Sequence, residues 1–279
     1  MRSIDDAPRY LRGGQKGART GVLPYLRCMT LGLPPHVRAC LFDLDGVLTQ
    51  TATEHAAAWT QMFDAYLQAR SQRTGEPFVA FAMHDYELYV DGKSRADGVH
   101  SFLESRGIVL PEGDLDDGPD RESIHGLSNW KNDILLRRIH THGVKSYEGS
   151  VQYVRAVRAA GLRTAVVSAS ANCHDVLVGA GIESLFDVRI DGIVAQRDHL
   201  HGKPAPDTYL AGAQALGVKA EEGAVFEDAL AGVEAGRAGN FGYVVGVDRV
   251  GHADELKKSG ADVVVADLAE LLAAGGTTR

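Results

Sequence analysis

The stretch CLFDLDGVLTQTATEHAAAW, residues 40–59, decides the fold of this chain. Its apolar start predicts a buried strand over 37–43, at the end of which stand the two aspartates Asp43 and Asp45. Side chains along a strand repeat with a period of two, so both carboxylates are expected on the same side. Two carboxylates this close repel each other unless a cation or a proton lies between them. An Asp-x-Asp pair can also cap a turn or a helix, and the stretch alone leaves both interpretations open.

Short apolar runs alternate with helical segments over much of the remaining chain. This alternation predicts βαβ units and a parallel sheet covered on both faces. We therefore expect an α/β fold with a Rossmann-like parallel sheet as its core. The predicted strands are 37–43, 163–168, 186–192, 223–228, 243–247 and 261–267, and the predicted helices between them are 172–180, 206–216, 229–238 and 252–259.

Residues 52–142 interrupt the alternation, because they contain helical patterns and loops but no strand pattern. The natural interpretation is an α-helical domain inserted after the first strand. The predicted organisation is a disordered N-terminal arm over 1–36, a Rossmann-like core over 37–50 and 145–274, and the inserted helical domain, which would cap the carboxyl edge of the sheet, over 51–144.

The charge of the chain is unevenly distributed. The net charge is −8, but residues 1–36 hold six Lys/Arg and two Asp, which leaves −12 for the remainder. An acidic body argues against nucleic acid as a partner and leaves room for a small phosphorylated substrate in a local basic pocket. No apolar run approaches the ~18–20 residues of a membrane span. Three cysteines without metal-type spacing favour a reducing, cytoplasmic setting, and a monomer is the default expectation.

Further polar groups follow other predicted strands. VVSASAN (166–172) places Ser168 at a strand end, and VFEDALAG (225–232) places Asp228 at another. In such sheets ligands bind beyond the carboxyl ends of the strands. GKPAPD (202–207) adds Lys203, a compact positive charge for an oxyanion or a phosphate. The alternatives are an ordinary surface lysine and an aspartate that caps the next helix.

Together, FDLDGVLT, SAS, KPAPD and EDALAG resemble the motifs of the haloacid dehalogenase superfamily. The resemblance implies a phosphoryl-transfer enzyme in which Asp43 is the nucleophile and Asp45 the general acid/base. It also implies that Ser168 and Lys203 bind the transferring phosphoryl oxygens. The implied cofactor is Mg²⁺, with Asp43, the Asp45 carbonyl, Glu227 and Asp228 as ligands.

The predicted cap resembles that of the β-phosphoglucomutase family. His55 and Trp59 lie one turn apart on the first cap helix and face the same way. The resemblance implies that His55 helps to position Asp45; the alternative is a half-buried histidine and a core tryptophan. YVDGKSRADGV (89–99) resembles the segment whose arginine binds the phosphate that is not transferred, although a surface arginine paired with an acid is also possible. The implied substrate-binding residues are Trp59, Gly92, Arg95, Lys131, Asn132, Ser170 and Asn172.

Two positions depart from the family pattern. Ala171 stands where a basic residue is common, and Gln50 stands where an acid is common. The missing positive charge at Ala171 bears on the second phosphate site and therefore on the identity of the sugar.

The resemblance implies an enzyme that interconverts β-D-glucose 1-phosphate and glucose 6-phosphate, a phosphosugar mutase. The implied route passes through an aspartyl-phosphate enzyme and a glucose 1,6-bisphosphate intermediate. A Mg²⁺-dependent sugar-phosphate phosphatase with the same core motifs is the alternative, and a non-catalytic sugar-phosphate-binding module is a third possibility. In each case the expected partner is a small phosphorylated sugar.

Overall fold

The computed structural model describes residues 31–275 of the chain. Its strands are β1 (Ala39–Phe42), β2 (Arg163–Val167), β3 (Val188–Ile190), β4 (Gly223–Glu227), β5 (Tyr243–Val247) and β6 (Val263–Val265). They form one parallel sheet in the order β3-β2-β1-β4-β5-β6, which confirms the predicted α/β fold. The order reverses direction at β1, and ligands of such sheets bind at this switch point.

Helices form the insertion between β1 and β2 and cover the sheet elsewhere. The inserted helices are α1 (Ala52–Thr74), α2 (Met83–Asp85), which continues as a π-helical turn over Tyr86–Val90, α3 (Arg95–Ser105) and α4 (Ile124–His142). The helices of the core are α5 (Glu148–Ala159), α6 (Cys173–Gly179), α7 (Gly192–Arg197), α8 (Asp207–Leu216), α9 (Leu230–Ala238), α10 (Ala253–Lys258) and α11 (Ala269–Gly275).

The third strand is shorter than the sequence pattern predicts, and α7 was not predicted. Asp191 directly follows β3 and caps α7, because its Oδ1 accepts a hydrogen bond of 2.9 Å from the Val194 amide. An N-cap aspartate of this kind ends a strand and starts a helix at the same residue.

The strand β1 separates two apolar layers. Cys40 and Phe42 point into a layer with Tyr153, whereas Ala39 and Leu41 point into the opposite layer with Tyr209. All four β1 side chains are fully buried. Two-sided burial explains the continuous apolar run before Asp43, since a central parallel strand has no solvent face.

The inserted helices have an apolar core of their own. The Phe63 ring stacks on Trp59 at 5.3 Å and lies 4.2 Å from the ring of Phe102. This cluster is distinct from the two layers of the sheet, although Ile139 of α4 packs against both it and one of the layers. The inserted helices therefore have a core of their own at the carboxyl edge of the sheet.

The two connections between sheet and insertion run side by side. The Gln50 amide donates to the Lys145 carbonyl at 2.8 Å, and the Tyr147 amide donates to the Leu48 carbonyl at 2.9 Å. Thr49 forms a bridge with Ser146 between these bonds. The outgoing and returning chains are thus joined by main-chain hydrogen bonds.

The prediction of a disordered arm over 1–36 is wrong for its last residues. Leu31 and Leu33 are buried in the apolar layer of the core, and the Tyr153 hydroxyl donates to the Leu31 carbonyl at 2.8 Å. Burial of the two leucines offsets the entropy of ordering this segment. Residues 1–30 lie outside the described residues, and the other domain boundaries stay predictions. Among the described residues, no helix is long and apolar enough to cross a membrane.

Arg249, just after β5, contacts the loops that follow β1 and β6. Its guanidinium donates to the Gly46 carbonyl at 2.9 Å and to the Ala266 carbonyl at 2.7 Å. It also forms an ion pair with Asp267 at 3.1 Å and lies 3.7 Å from the centre of the Tyr147 ring. This one side chain therefore holds the turn that carries Asp45 against the end of the sheet.

We expect the substitution Arg249→Leu to lower the free energy of unfolding by about 2–3 kcal/mol, because it leaves partly buried carbonyls without their charged donor. Urea denaturation measures this loss. The control is Arg197→Leu, since Arg197 is largely exposed and bonds its neighbour Asp198; there we expect a change within about 0.5 kcal/mol. Equal losses in the two variants would contradict the role given to Arg249.

Candidate active site

Three buried carboxylates converge at the ends of β1 and β4. Asp43 directly follows β1, Glu227 is the last residue of β4, and Asp228 follows it. One oxygen from each lies within 4.8 Å of the others. The carboxylate of Asp45 is not part of this group, so its predicted metal contact would have to come from its main-chain carbonyl.

Lys203 faces two of the three carboxylates. Its Nζ lies 2.5 Å from Asp43 Oδ1 and 2.5 Å from Glu227 Oε1. The Tyr209 hydroxyl donates to the same Glu227 oxygen at 2.7 Å. Lys203 is 3% exposed, so the surface-lysine alternative is wrong.

The three buried carboxylates carry more negative charge than Lys203 alone can balance. Burial raises the pKa of Asp43 well above its usual value, and the opposing effect of Lys203 does not compensate. Burial and the neighbouring carboxylates Asp91 and Asp43 raise the pKa of Asp228 in the same direction. For Lys203, burial lowers the pKa, but Asp43 and Glu227 outweigh it and raise the pKa. Three acids with one lysine are suited to a hard divalent cation such as Mg²⁺, which prefers oxygen ligands.

The turn that follows β1 passes so close to Asp228 that its residue 46 must be a glycine. Its φ is +88°, and a Cβ at this position would lie 1.7 Å from Asp228 Oδ2. Both the left-handed backbone and the missing side chain are properties of glycine. Asp228 does not cap α9, whose N-cap is Ala229 without a side-chain hydrogen bond, so the helix-cap alternative is wrong.

Asp45 is held by one hydroxyl from the start of the insertion. The Thr51 hydroxyl donates to Asp45 Oδ1 and lies 2.7 Å from the Thr49 hydroxyl. The His55 Nε2 atom lies 3.6 Å from the same Asp45 oxygen, which is an approach and not a hydrogen bond. Thr51 was not singled out by the sequence analysis, although it stands in the stretch quoted first.

His55 also contacts a buried lysine of α4. Lys131 Nζ lies 3.1 Å from His55 Nδ1 and 4.9 Å from the centre of the Trp59 ring. Burial and the Lys131 charge lower the pKa of His55 to about 4. Burial, together with the Arg95 charge, lowers the pKa of Lys131 to about 7. His55 is therefore neutral at neutral pH, and Lys131 donates to its Nδ1 atom. Trp59 is packed in the cap core and also lines the cavity.

Arg95 lies at the start of α3 and faces the same cavity. Its Nη1 atom is buried and has no hydrogen-bond partner among the described residues. Burial lowers the pKa of Arg95 and the Asp133 charge opposes this effect, but Arg95 forms no ion pair with an acid among the described residues, so it is a half-buried arginine and not one paired at the surface. Gly92, three residues earlier, has a φ of +72°, and a Cβ there would lie 3.0 Å from the Cβ of Ala229. The insertion thus packs directly on the core beside Asp228.

The loop after β2 supplies the core side of the cavity. The Ser170 amide donates to the Ser168 hydroxyl at 3.0 Å, and the Asn172 amide donates to the Ser170 hydroxyl at 3.1 Å. The Asn172 side-chain amide donates to Asn132 Oδ1 at 2.9 Å. Asn132 therefore joins the insertion to the core.

The cavity between insertion and sheet brings together most of the predicted site. Ser168, Lys203, Glu227 and Asn132 are not among its lining residues. The predicted residues that line it are Asp43, Asp45, His55, Trp59, Gly92, Arg95, Lys131, Ser170, Asn172 and Asp228.

Further cavity residues were missed by the sequence analysis, namely Tyr86, Asp91 and Lys93. Burial, with a contribution from the Glu227 charge, raises the pKa of Asp91 to about 6. Asp91 and Lys93 stand inside the quoted segment YVDGKSRADGV, so their proximity to Arg95 along the chain was the available signal.

Comparisons with known proteins agree with this geometry. A family model for haloacid dehalogenase-like hydrolases matches residues 37–240. A β-phosphoglucomutase from Mycobacterium bovis is 54% identical over 253 residues, which cover 89% of this chain and 97% of that protein. An uncharacterized glycosyl hydrolase from Mycobacterium tuberculosis is 36% identical over 238 residues, 85% of this chain but 18% of that longer protein.

A solved structure shows the same fold. The crystal structure of β-phosphoglucomutase from Clostridium difficile matches with a TM-score of 0.65 at 26% identity, covering 84% of this chain and 93% of that one. The matched family model spans β1 to the end of α9, which includes every predicted site residue. The chain therefore belongs to the haloacid dehalogenase superfamily and, within it, to the β-phosphoglucomutase-like proteins.

Proposed function

We propose that this protein is a β-phosphoglucomutase that interconverts β-D-glucose 1-phosphate and glucose 6-phosphate. The observation that carries the proposal is one cavity lined both by Asp43 and by the cations Arg95 and Lys131. Lys203 contacts Asp43, Lys131 is buried and Arg95 is half-buried. We assign one phosphate of the substrate to Asp43 and the other to Arg95 and Lys131. Enzymes that move a phosphoryl group between two ends of a sugar need both sites at once.

In the proposed cycle, β-glucose 1-phosphate binds to an enzyme phosphorylated at Asp43. Asp45 removes the proton from the 6-hydroxyl, whose oxygen attacks the phosphorus while the bond to the Asp43 carboxylate breaks. The resulting glucose 1,6-bisphosphate turns over in the cavity. Asp43 then attacks the 1-phosphate, Asp45 returns the proton to the departing sugar oxygen, and glucose 6-phosphate leaves. A carboxylate nucleophile thereby replaces one difficult displacement by two easier ones.

Charge neutralisation is the main task of the surrounding groups. Phosphoryl transfer depends on positioning and on stabilisation of charge on the equatorial oxygens. Lys203 and the Ser168 hydroxyl would contact these oxygens. Mg²⁺ held by Asp43, Glu227, Asp228 and the Asp45 carbonyl would supply the positive charge that the three carboxylates lack.

The insertion would act as a cap that orients the acid/base and excludes water. Thr51 fixes one oxygen of Asp45, and neutral His55 approaches the same oxygen without adding a charge. The contact of Asn132 with Asn172 and the packing of Gly92 on Ala229 close the cavity. Exclusion of water matters, because an exposed aspartyl phosphate would hydrolyse.

A sugar-phosphate phosphatase is the second candidate. Ala171, beside the Ser170 and Asn172 pair, contributes no positive charge to the second phosphate site. A weaker second site would favour transfer to water over transfer to a bound sugar.

A cytoplasmic location, a monomeric state and the absence of a nucleic-acid partner stay predictions from the composition.

The decisive experiment is an assay with Mg²⁺, β-glucose 1-phosphate and a trace of glucose 1,6-bisphosphate. We expect glucose 6-phosphate without stoichiometric free phosphate, and no turnover after removal of Mg²⁺ with EDTA or in Asp43→Asn. Free phosphate as the main product would support the phosphatase instead. Full turnover by Asp43→Asn would exclude both enzymatic proposals.

We expect Arg95→Ala to reduce kcat/KM of the mutase reaction by about 10- to 100-fold more than that of a small aryl phosphate. The reason is that a charge-assisted hydrogen bond contributes about 1.5–3 kcal/mol, and a phosphorylated sugar places a second phosphate at Arg95, whereas a small aryl phosphate does not. Steady-state kinetics on both substrates measures the difference. Arg121→Ala, at an exposed position before α4, is the control and should affect neither reaction. Equal losses on both substrates would contradict the second phosphate site.

The pKa of Lys131, about 7, predicts a pH dependence. Lys131 is a cation below this pH and loses its proton as the pH rises through it, so kcat/KM for β-glucose 1-phosphate should fall about tenfold per pH unit above 7. Lys131→Arg keeps the positive charge and should move this limb to higher pH. Hydrolysis of an aryl phosphate serves as the control without the limb. If the fall of kcat/KM above pH 7 were unchanged in Lys131→Arg, the assignment of this pH dependence to Lys131 would be wrong.

A further inference from the structure

Asp91, directly after the π-helical turn of the insertion, is a fourth carboxylate beside the three of the core. The turn sets its position, because the Asp91 amide donates to the Tyr86 carbonyl, five residues back, at 2.9 Å. π-helical turns are rare and frequently mark functional sites. Asp91 lines the catalytic cavity together with Asp43 and Asp228, and the proposed reaction cycle leaves it without a task.

Main-chain packing brings Asp91 close to Asp228. The residue after Asp91 is Gly92, where a Cβ would lie 3.0 Å from the Cβ of Ala229. Ala229 is in turn the residue after Asp228. Two consecutive residues of the insertion therefore lie against two consecutive residues of the core, and the aspartate of each pair lines the same cavity.

The carboxylates at this contact act on one another. Burial raises the pKa of Asp228, and among the neighbouring charges Asp91 raises it most. Burial also raises the pKa of Asp91, and the Glu227 charge adds to this effect. Lys203 is already paired with Asp43 and Glu227, so its charge is shared among several acids. Like charges brought together in this way disfavour the contact of insertion and core unless a cation lies between them.

A divalent cation held by the core would remove this repulsion. The nearby His252 is engaged elsewhere, because its Nε2 atom lies 3.1 Å from the Asp228 carbonyl. Asp91 is not among the described carboxylates whose oxygens lie within 4.8 Å of one another, so it is not placed as a direct ligand. Mg²⁺ usually keeps several waters when a protein binds it. Asp91 is suited to accept hydrogen bonds from such waters and thereby to face the ion from the insertion.

We propose that Asp91 is a positioning residue of the metal site, through which bound Mg²⁺ holds the insertion closed over the core. The proposal rests on the Mg²⁺ site of the proposed function and not on the identity of the sugar. Without the ion, repulsion between Asp91 and the core carboxylates favours an open insertion. With the ion, the same charges favour closure, and by linkage closure strengthens Mg²⁺ binding to the same extent. The water-excluding state that protects an aspartyl phosphate would then form over a loaded metal site.

Isothermal titration calorimetry of the full chain with Mg²⁺ tests this role. We expect Asp91→Asn to weaken Mg²⁺ binding about tenfold, because the variant keeps the shape of the side chain and removes its charge. Asp91→Glu restores the charge and should bind Mg²⁺ within about threefold of the wild type. Asp116→Asn, the same change at an exposed acid of the insertion, is the matched control and should leave the affinity unchanged.

Thermal denaturation separates this role from a merely structural one. Neutralising a carboxylate that only supports the fold destabilises the protein, whereas relief of repulsion should leave Mg²⁺-free Asp91→Asn at least as stable as the wild type. The rise in Tm on addition of Mg²⁺ should shrink in this variant and persist in Asp116→Asn. Amide hydrogen exchange over residues 86–93 should slow with Mg²⁺ in the wild type and be independent of Mg²⁺ in Asp91→Asn.

Equal Mg²⁺ affinities of Asp91→Asn and Asp116→Asn would overturn the role of Asp91 and leave the proposed mutase intact. A lower Tm of Mg²⁺-free Asp91→Asn than of the Mg²⁺-free wild type would overturn it as well, since the carboxylate would then be a structural support. A protein that shows the expected Mg²⁺ effects but fails the mutase assay would keep the role of Asp91 and lose the mutase.

Discussion

Three carboxylates buried around one lysine are the constraint on which the rest of this structure depends. Asp43, Glu227 and Asp228 meet because β1 and β4 are neighbours and end at the same edge of the sheet. Lys203 cannot balance all three, so the fold stores a demand for positive charge that a divalent metal ion would meet. The closely packed turn at Gly46 follows from the same crowding.

The insertion presents the opposite electrostatic problem, since it buries Lys131 and half-buries Arg95. The Nη1 atom of Arg95 has no hydrogen-bond partner in the described part of the chain, and burial together with the Arg95 charge lowers the pKa of Lys131 to about 7. Such groups are unfavourable until an anion arrives. Core and insertion therefore have complementary charge deficits. The proposed doubly phosphorylated sugar would supply negative charge to the insertion while its transferring phosphate reacts at the core.

The elements most accurately predicted from sequence are those that local pattern determines. Parallel strands end at one edge, so the alternation of strands and helices placed Asp43 and Asp228 at the same edge of the sheet. That they meet depends on β1 and β4 being neighbours, which the alternation does not determine. The contact of Lys131 with His55 joins residues 76 positions apart, and neither propensity nor periodicity reports such a contact. The same holds for Asp91, which reaches the cavity only because the insertion docks on Ala229. Leu31 and Leu33 lie in a basic, glycine-rich segment whose composition hid their burial.

The paired connections between sheet and insertion set how the two parts can move. Two independent linkers would allow the insertion to tilt, twist and slide. Main-chain hydrogen bonds at Gln50 and Tyr147 join the linkers into one short ribbon, which leaves bending about a single axis as the easy motion. A hinge restricted in this way would return Arg95 and Lys131 to the same position relative to Asp43 each time the insertion closed. The spacing of the two proposed phosphate sites would then be set by the hinge, whichever sugar is bound.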